Sequence, residues 1–390
     1  MFTNNYDVII IGAGPIGSYL SYLLSSSQKK VLVLDKKASP GQNVCCTGII
    51  SKECYEMFPK NLDISAKTAN SAVFISSSGQ VVRFWRNEDI AFIIDRIYLE
   101  QSLVQNSKSV GTEYQFNTLV EGIDYSPESI HVVTSNNKAR KTDIESKTVI
   151  IANGFGSKLV ANLGLGRIKH FWIGTQVEIE GQKIKEIEIF LDKSMAPKGF
   201  AWLVPTHEGK GLAGLLTDRQ PGLRICQFIS FLKSCGKITA VSGEPRYAPI
   251  PLKPLTKTYA DRMLVVGEAA GQVKPITGGG IYYGILCAQI AADILCKAFK
   301  VGDFSAEFLS QYQKQWHKKL LRELTIGGFA QRLFANLTDK QIDYLFNIIR
   351  KKQIPEFIAG INEFSFDTHS KLLLQAAYCL LPFAKHSKSI

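Results

Sequence analysis

Asp7-Val8-Ile9-Ile10-Ile11-Gly12-Ala13-Gly14-Pro15-Ile16-Gly17 is the stretch whose reading decides the fold. Its opening residues are apolar, β-branched and free of alternation, the pattern of a parallel strand buried on both faces. The glycine turn follows at once. Ser18–Ser27 then reads as a helix, and Val31-Leu32-Val33-Leu34-Asp35 as a second buried strand ending on an acid. Each glycine has a physical role in such a unit. Gly12 permits the tight turn, Gly14 lets backbone approach a pyrophosphate, and Gly17 lets helix and strand pack closely. Pro15 suits the first helical turn, where an N–H has no partner. The remaining N–H groups there attract phosphate, and Asp35 can accept both ribose hydroxyls of an adenosine. The glycine spacing stands in a full strand–turn–helix–strand context with an acid about 20 residues on, so a dinucleotide site is expected. Gly209-Lys210-Gly211-Leu212-Ala213-Gly214 has the same spacing but lies between strand-like Ala201–Val204 and Leu215–Thr217, with no helix after it. It is expected to be a hairpin turn, leaving one dinucleotide site by this criterion.

A second unit of related form lies far downstream. Arg262-Met263-Leu264-Val265-Val266-Gly267-Glu268-Ala269-Ala270-Gly271 reads as a buried strand ending in a glycine–acid pair. Pro275-Ile276-Thr277-Gly278-Gly279-Gly280 and a helical run, Ile281–Phe299, follow. This makes another anion-seeking helix start. Glu268 can bind a hydroxylated chain, and the glycines let a flat ring lie against backbone. A ligand reaching both sites must be long. FAD is long, whereas a nicotinamide dinucleotide is normally accommodated by the first site.

Four blocks, in order, resemble the FAD-dependent group typified by p-hydroxybenzoate hydroxylase, and within it the geranylgeranyl reductase family that includes archaeal digeranylgeranylglycerophospholipid reductases. The first is Val8–Gly17 with Asp35. The second, Cys45-Cys46-Thr47-Gly48-Ile49-Ile50-Ser51, is similar to the family's cysteine–glycine segment. The third, Ala196-Pro197-Lys198-Gly199-Phe200-Ala201-Trp202-Leu203-Val204-Pro205, is close to the reductases' PxxYxWxFP motif, with Phe200 for Tyr and Val204 for Phe. The fourth, Gly267-Glu268-Ala269-Ala270-Gly271 through Gly280, is like the family's GDAAG…PtGgGi segment with Glu268 for Asp. Asp95-Arg96, opening a helix over Ile97–Gln105, matches the family's arginine near the cofactor. The resemblance spans roughly residues 5–300.

The resemblance implies an α/β fold: a Rossmann-type FAD-binding domain interleaved with a mostly antiparallel β-sheet substrate domain, plus C-terminal helices. The implied boundaries are 1–70, 95–165 and 250–300 for the FAD-binding domain, 71–94 and 166–249 for the substrate domain, and 301–390 for the helical region. Cofactor contacts would fall on Gly12, Gly14, Ile16, Gly17, Asp35, Cys46, Thr47, Gly48, Arg96, Val120, Gly267, Glu268, Gly279, Gly280 and Ile281. Strands are expected at Ala72–Ile75, Val81–Trp85, Gly174–Ile179, Glu186–Leu191 and Phe200–Val204. Helices are expected at Leu309–Leu324, Gln331–Phe334, Asp339–Arg350 and Lys371–Leu381.

The implied activity is reduction of carbon–carbon double bonds in geranylgeranyl or other prenyl chains, on a lipid or an isoprenoid diphosphate. The electron donor would be NAD(P)H or a ferredoxin, or be linked to a quinol. An isolated alkene needs a hydride on one carbon, a proton on the other, and a tight apolar channel. Phe200, Trp202 and Leu203 are candidates for that channel; the plainer reading is ordinary core. Cys46 is the catalytic candidate of the adjacent cysteine pair, as proton donor, redox partner or ring contact, against the plain reading of a small buried hydrophobe. Cys45, Tyr282 and Tyr283 are weaker candidates, the tyrosines more simply read as helix packing. The rival reading is an FAD monooxygenase or halogenase of the same fold, whose WxWxIP motif the Gly199–Pro205 stretch nearly meets; a third is a flavoprotein that only binds.

Composition frames these readings. The chain has 390 residues, 45% hydrophobic and 21% charged, which excludes disordered, collagenous and small disulfide-stapled classes. Its eight cysteines form no CxxC, and no Cys/His cluster or histidine spacing has the form of a metal site. The N-terminus has no basic, cleavable leader, and no apolar run reaches the roughly 20 residues of a membrane span, so a cytoplasmic protein is expected. The formal net charge is +12, from 46 Lys+Arg against 34 Asp+Glu, without a nucleic-acid motif. From Lys297 to Ile390 there are 14 basic and 8 acidic residues. Lys371–Lys385 is apolar nearly all round, either a docked helix or a segment drawn to a lipid surface, making peripheral membrane contact an expectation to be tested.

Overall fold

The computed structural model describes residues 6–136, 141–361, 365–368 and 370. The chain forms two compact units, each assembled from three segments: Met1–Ala66, Ile94–Trp172 and Pro249–Leu321, and Lys67–Ile93, Ile173–Ala248 and Arg322–Ile390. The helical region after residue 301 is thus divided between them at Leu321.

In the first unit Tyr6–Ile11 lies between Val31–Leu34 and Lys141–Ile151, parallel to both, with Ile9 paired to Leu32 on one side and Val149 on the other. The sheet continues outward to Glu113–Gln115 beyond Val31–Leu34, and to Met263–Val265 and Tyr259–Ala260 beyond Lys141–Ile151. Ile130–Asn136 adds antiparallel to Lys141–Ile151, and Thr118–Tyr125 adds antiparallel to Ile130–Asn136. The unalternating apolar runs follow from this arrangement. Val8, Ile9, Ile10 and Val31 to Leu34 are all inaccessible to solvent, because both sheet faces are covered. The helix Pro15–Ser26 packs against Arg96–Ser109 and Ile281–Val301. Burying Leu20 and Leu24 on that seam contributes about 1.5–3 kcal/mol each.

The second unit is built on a seven-stranded sheet in the order Ala240–Pro251, Phe171–Glu180, Lys210–Thr217, Ala201–Pro205, Ile187–Leu191, Ser71–Ser76, Val81–Trp85. Ile187–Leu191 and Ser71–Ser76 run parallel, while the pairs from Phe171–Glu180 through Ile187–Leu191, and Ser71–Ser76 with Val81–Trp85, are antiparallel. The helix Pro221–Ser234 covers one face, setting Ile225, Phe228 and Leu232 against Val177, Leu203, Ala213 and Leu215. On the opposite face Asp339–Lys351 places Ile342 and Phe346 against Phe74, Val82 and Phe84.

The structure amends several expectations. The hairpin at the second glycine motif is real, but its turn spans only 206–209, and Lys210–Thr217 is strand. The glycines after the turn serve strand packing: a Cβ at Gly211 would stand 2.6 Å from the Val204 carbonyl oxygen. Leu309–Leu324 and Gln331–Phe334 belong to one helix, Ala306–Asn336, which continues through Gly327-Gly328. The roughly 1 kcal/mol that each helical glycine costs is outweighed by the face bearing Leu309, Tyr312, Trp316, Leu320 and Leu324, all at most 5% exposed. Sequence reading did not find Pro221–Ser234 or Ala240–Pro251. Lys371–Leu381 lies outside the described residues.

Candidate active site

The turn between Ile11 and Pro15 is held by a small set of hydrogen bonds. Gly12 N–H donates to the Leu34 carbonyl at 2.8 Å. The Asp35 carboxylate accepts from Ala13 N–H at 2.6 Å and from Lys37 N–H at 2.8 Å. The three glycines then differ sharply. Gly12 has φ +112°, and a Cβ there would stand 2.5 Å from the Ala152 carbonyl oxygen; at Gly17 it would stand 1.9 Å from the Gly12 oxygen. At Gly14 it would meet no protein atom within 4 Å. Gly14 is also the residue before the helix Pro15–Ser26, whose start has no side-chain cap. Two glycines are therefore required by the fold, while the middle one keeps clear a space beside helix N–H groups that suits a pyrophosphate. The adjoining Asn153 Oδ1 is buried without a hydrogen-bond partner among the described residues. Val120 lies half-buried on Thr118–Tyr125, whose first N–H donates to the Asp35 carbonyl at 2.9 Å.

The second glycine loop belongs to the same unit. Gly267 has φ +72° and opens a single 3-10 turn carrying Glu268. A Cβ on Gly280 would stand 3.3 Å from Glu268 Oε1, and one on Gly154 4.0 Å from Oε2. Glu268 is open to solvent on one side yet ringed by protein. Burial pushes its pKa up; the Arg96 charge opposes the shift and Glu100 adds to it. The Ile16 side chain packs onto Gly267 and Gly284, which leaves its backbone at the helix start beside Gly14 and Pro15. A Cβ on Gly279 would press on the buried Lys274 stem at 2.9 Å, and Ile281 begins the helix Ile281–Val301.

A buried relay fixes this loop, and sequence reading missed it. Gly267 N–H donates to Gln272 Oε1 at 2.7 Å, Gln272 Nε2 donates to Tyr312 Oη at 2.8 Å, and Tyr312 O–H donates to the Val265 carbonyl at 3.1 Å. Both side chains are wholly inaccessible. The available signal was a glutamine directly after Gly271. Its partner is 40 residues away.

Arg96 opens the helix Arg96–Ser109 behind Asp95, which caps Ile97 and Tyr98. The guanidinium is buried and paired with Glu100 at 2.8 Å, while its Nε has no partner among the described residues. Burial works against its charge, but Cys46, Glu100 and Glu268 outweigh that and hold it protonated. Glu100 in turn accepts from Gly41 N–H at 3.0 Å and lies 3.9 Å from Lys37 Nζ. Cys46-Thr47-Gly48 is pinned alongside. Gly48, at φ +72°, accepts from Ile94 N–H at 3.0 Å, and its own N–H points to Cys46 Sγ at 3.5 Å. A Cβ at Gly48 would stand 2.2 Å from the Ile94 oxygen, so glycine is needed for this junction. One unit thus gathers Gly12, Gly14, Asp35, Cys46, Thr47, Gly48, Arg96, Glu268 and Gly280. Tyr282 donates to Glu53 Oε1 at 2.6 Å and Tyr283 is buried, consistent with packing.

In the second unit the Phe200–Pro205 stretch divides between two faces. Trp202 is registered across from Gly214 and Ile189, and Gly214 from Gln176, so these share the face opposite Pro221–Ser234. Phe200 lies on that face too, its ring centroid 5.9 Å from Trp202's. The indole lies over Gly214, where a Cβ would stand 2.5 Å from Cε2 and Cζ2. Trp202 Nε1 is buried without a hydrogen-bond partner among the described residues. Leu203 points the other way, into the core under Pro221–Ser234, and is no channel residue.

The architecture and its glycine cradle define an FAD-binding flavoprotein, and residues 5–187 match the family profile described as FAD binding domain. The residues present fit that group: bare helix N–H groups and a buried guanidinium N–H to donate, an acid closing the second strand to accept, and the space at Gly14. The chain is 28% identical over 360 residues to the digeranylgeranylglycerophospholipid reductase of Methanococcus aeolicus, covering 88% of this chain and 90% of that one. It is 27% identical over 352 residues to the enzyme of that name from Methanocaldococcus jannaschii, covering 87% and 89%. In fold it is similar to a geranylgeranyl bacteriochlorophyll reductase-like protein from Thermoplasma acidophilum, with a TM-score of 0.85 at 20% identity, covering 96% of each chain. The resemblance to geranylgeranyl reductases therefore extends well beyond the four motif blocks.

Proposed function

We propose that the protein is an FAD-dependent oxidoreductase that hydrogenates carbon–carbon double bonds of geranylgeranyl or other prenyl chains carried on a lipid or an isoprenoid diphosphate. The observation that carries this reading is similarity to reductases so named over nearly nine-tenths of the chain, joined to a cradle shaped for FAD. When bound and reduced by the electron donor, FAD would supply the hydride.

The chain's own residues have three tasks. Gly14, Ile16, Asp35 and Val120 hold the adenosine diphosphate part of the cofactor, on a turn that Gly12 and Gly17 shape, and Cys46, Thr47, Gly48, Arg96, Gly267, Glu268, Gly279, Gly280 and Ile281 hold the remainder. Phe200 and Trp202 offer an aromatic face for a chain that nothing polarises, and exclude water from it. Cys46, beside the Arg96 guanidinium, is the candidate donor of the proton. NAD(P)H or a ferredoxin is the proposed electron source, and the cytoplasm the proposed location. Among the described residues no helix is long and apolar enough to cross a membrane.

The test is anaerobic incubation of the holoprotein with chemically reduced flavin and a geranylgeranyl lipid, followed by mass spectrometry. The expected product is heavier by two hydrogens per bond reduced. Oxygen-dependent hydroxylation or halogenation instead, or no turnover of any prenyl substrate, would refute the proposal. Gly214→Ala, which displaces the indole, is expected to lower turnover without changing FAD affinity.

A further inference from the structure

The helix Ala306–Asn336 has one face that nothing in the site uses. At 100° per residue, Lys314, Lys318, Arg322, Phe329, Arg332 and Leu333 fall within an arc of about 100°. All six are exposed, Phe329 at 58% and Leu333 at 55%. The buried residues Trp316, Leu320, Leu324 and Gln331 lie on the opposite side, so the arc points outward. Between Lys314 and Asn336 the single acid, Glu323, is off the arc and hydrogen-bonded to Ser370. The face therefore reads basic over its first half and apolar-with-basic over its last two turns.

We propose that this face seats the protein on an anionic lipid surface. Four cations and no anion lie along roughly 27 Å of helix, matching a plane of lipid phosphates. Phe329 and Leu333 are one turn apart and flanked by Arg322 and Arg332, an arrangement for shallow insertion at the level of the head groups. Two such side chains are too little for a stable protein partner, which needs about 800 Å² on each side. Much of the chain's +12 charge lies in this region, with 14 basic and 8 acidic residues from Lys297 onward. The inference does not depend on the proposed substrate, since ordinary phospholipid suffices to test it.

The experiment is sedimentation of the full-length holoprotein with vesicles of phosphatidylcholine alone, or with about a third of the lipid replaced by phosphatidylglycerol. The anionic vesicles are expected to bind at least about tenfold more strongly, and less so at high salt. Phe329→Glu with Leu333→Glu, and separately Lys318→Glu with Arg322→Glu, are each expected to reduce binding about tenfold or more, with FAD content and denaturation midpoint unchanged. Vesicle binding equal to the parent's in both variants overturns the proposal. So does a parent that ignores vesicles but forms dimers that Phe329→Glu with Leu333→Glu dissociates, which would make the face a contact between copies. Normal binding by both variants, with loss only on deleting 371–390, would assign the lipid contact to that segment instead.

Discussion

Gly14→Ala and Gly17→Ala, two changes three residues apart, should fail in opposite ways. Gly14 has φ −71° and ψ −179°, a conformation alanine adopts freely, and its added methyl meets no protein atom within 4 Å. The cofactor-free protein should therefore keep its stability to within about 0.5 kcal/mol. FAD should not tolerate the change. A methyl in that space forces the pyrophosphate away from the helix start, losing two or more hydrogen bonds to a charged group at about 1.5–3 kcal/mol each. The affinity loss is thus at least about a hundredfold. Gly17→Ala puts a methyl 1.9 Å from the Gly12 oxygen, where ordinary contact begins near 3.4 Å. The helix must retreat about 1.5 Å from its strand, an overpacking that destabilises the fold by about 1–3 kcal/mol or more before any cofactor is added. Urea denaturation of the cofactor-free proteins and FAD titration by flavin fluorescence read the two quantities separately. Near-wild-type FAD affinity in Gly14→Ala, or a loss of fold stability matching Gly17→Ala, would refute the assignment of that space to pyrophosphate.

Glu268 has its pKa raised in the folded protein, so below the unfolded value of about 4.5 both states hold the proton and the group costs nothing; the cost grows as pH rises above that value and is complete above the folded one. Glu268→Gln should accordingly raise the melting temperature of the cofactor-free protein at pH 7–8, with the gain vanishing towards pH 4; a pH-independent change would contradict this. Arg96→Met leaves Glu100 buried at 3% exposure without its closest cation, and should cost about 3–5 kcal/mol in urea melts. Adding Glu100→Met should restore at least half of that, and no recovery would show that the pair is not the cause. Tyr312→Phe breaks the relay to Gly267 and orphans buried groups worth about 1–3 kcal/mol, so FAD affinity should fall several-fold. Unaltered FAD binding would show that the relay supports only the core.

The parts of this molecule that the sequence made legible are those whose reasons are local. The run Val8–Gly17, the acid at Asp35 and the loop at Gly278–Gly280 each carry their structural requirement within a few residues, and the chain folds there as read. What escaped depends on partners distant in the chain. The alternation in Phe200–Pro205 shows that Trp202 and Leu203 face opposite ways, but only the placement of Pro221–Ser234 reveals which of them is core. Gln272 gains its role from Tyr312. Gly327-Gly328 resembles a break and is not one, because the buried face on Ala306–Asn336 overrides local propensity. The glycine spacing at 209–214 misled in detail for the same reason, since Gly214 answers to the indole of Trp202 on the next strand.

Ile16 carries a consequence for how this site can evolve. A Cβ on Gly284 would stand 2.4 Å from Ile16 Cδ1, and one on Gly267 3.3 Å from Cγ1, so one aliphatic side chain fills the room that two glycines leave. None of the three positions is free to drift by itself. A larger residue at 284 demands a smaller one at 16, and a smaller residue at 16 opens a void beneath both glycine loops at once. Descendants of this chain should therefore exchange residues 16 and 284 as a linked pair or keep both.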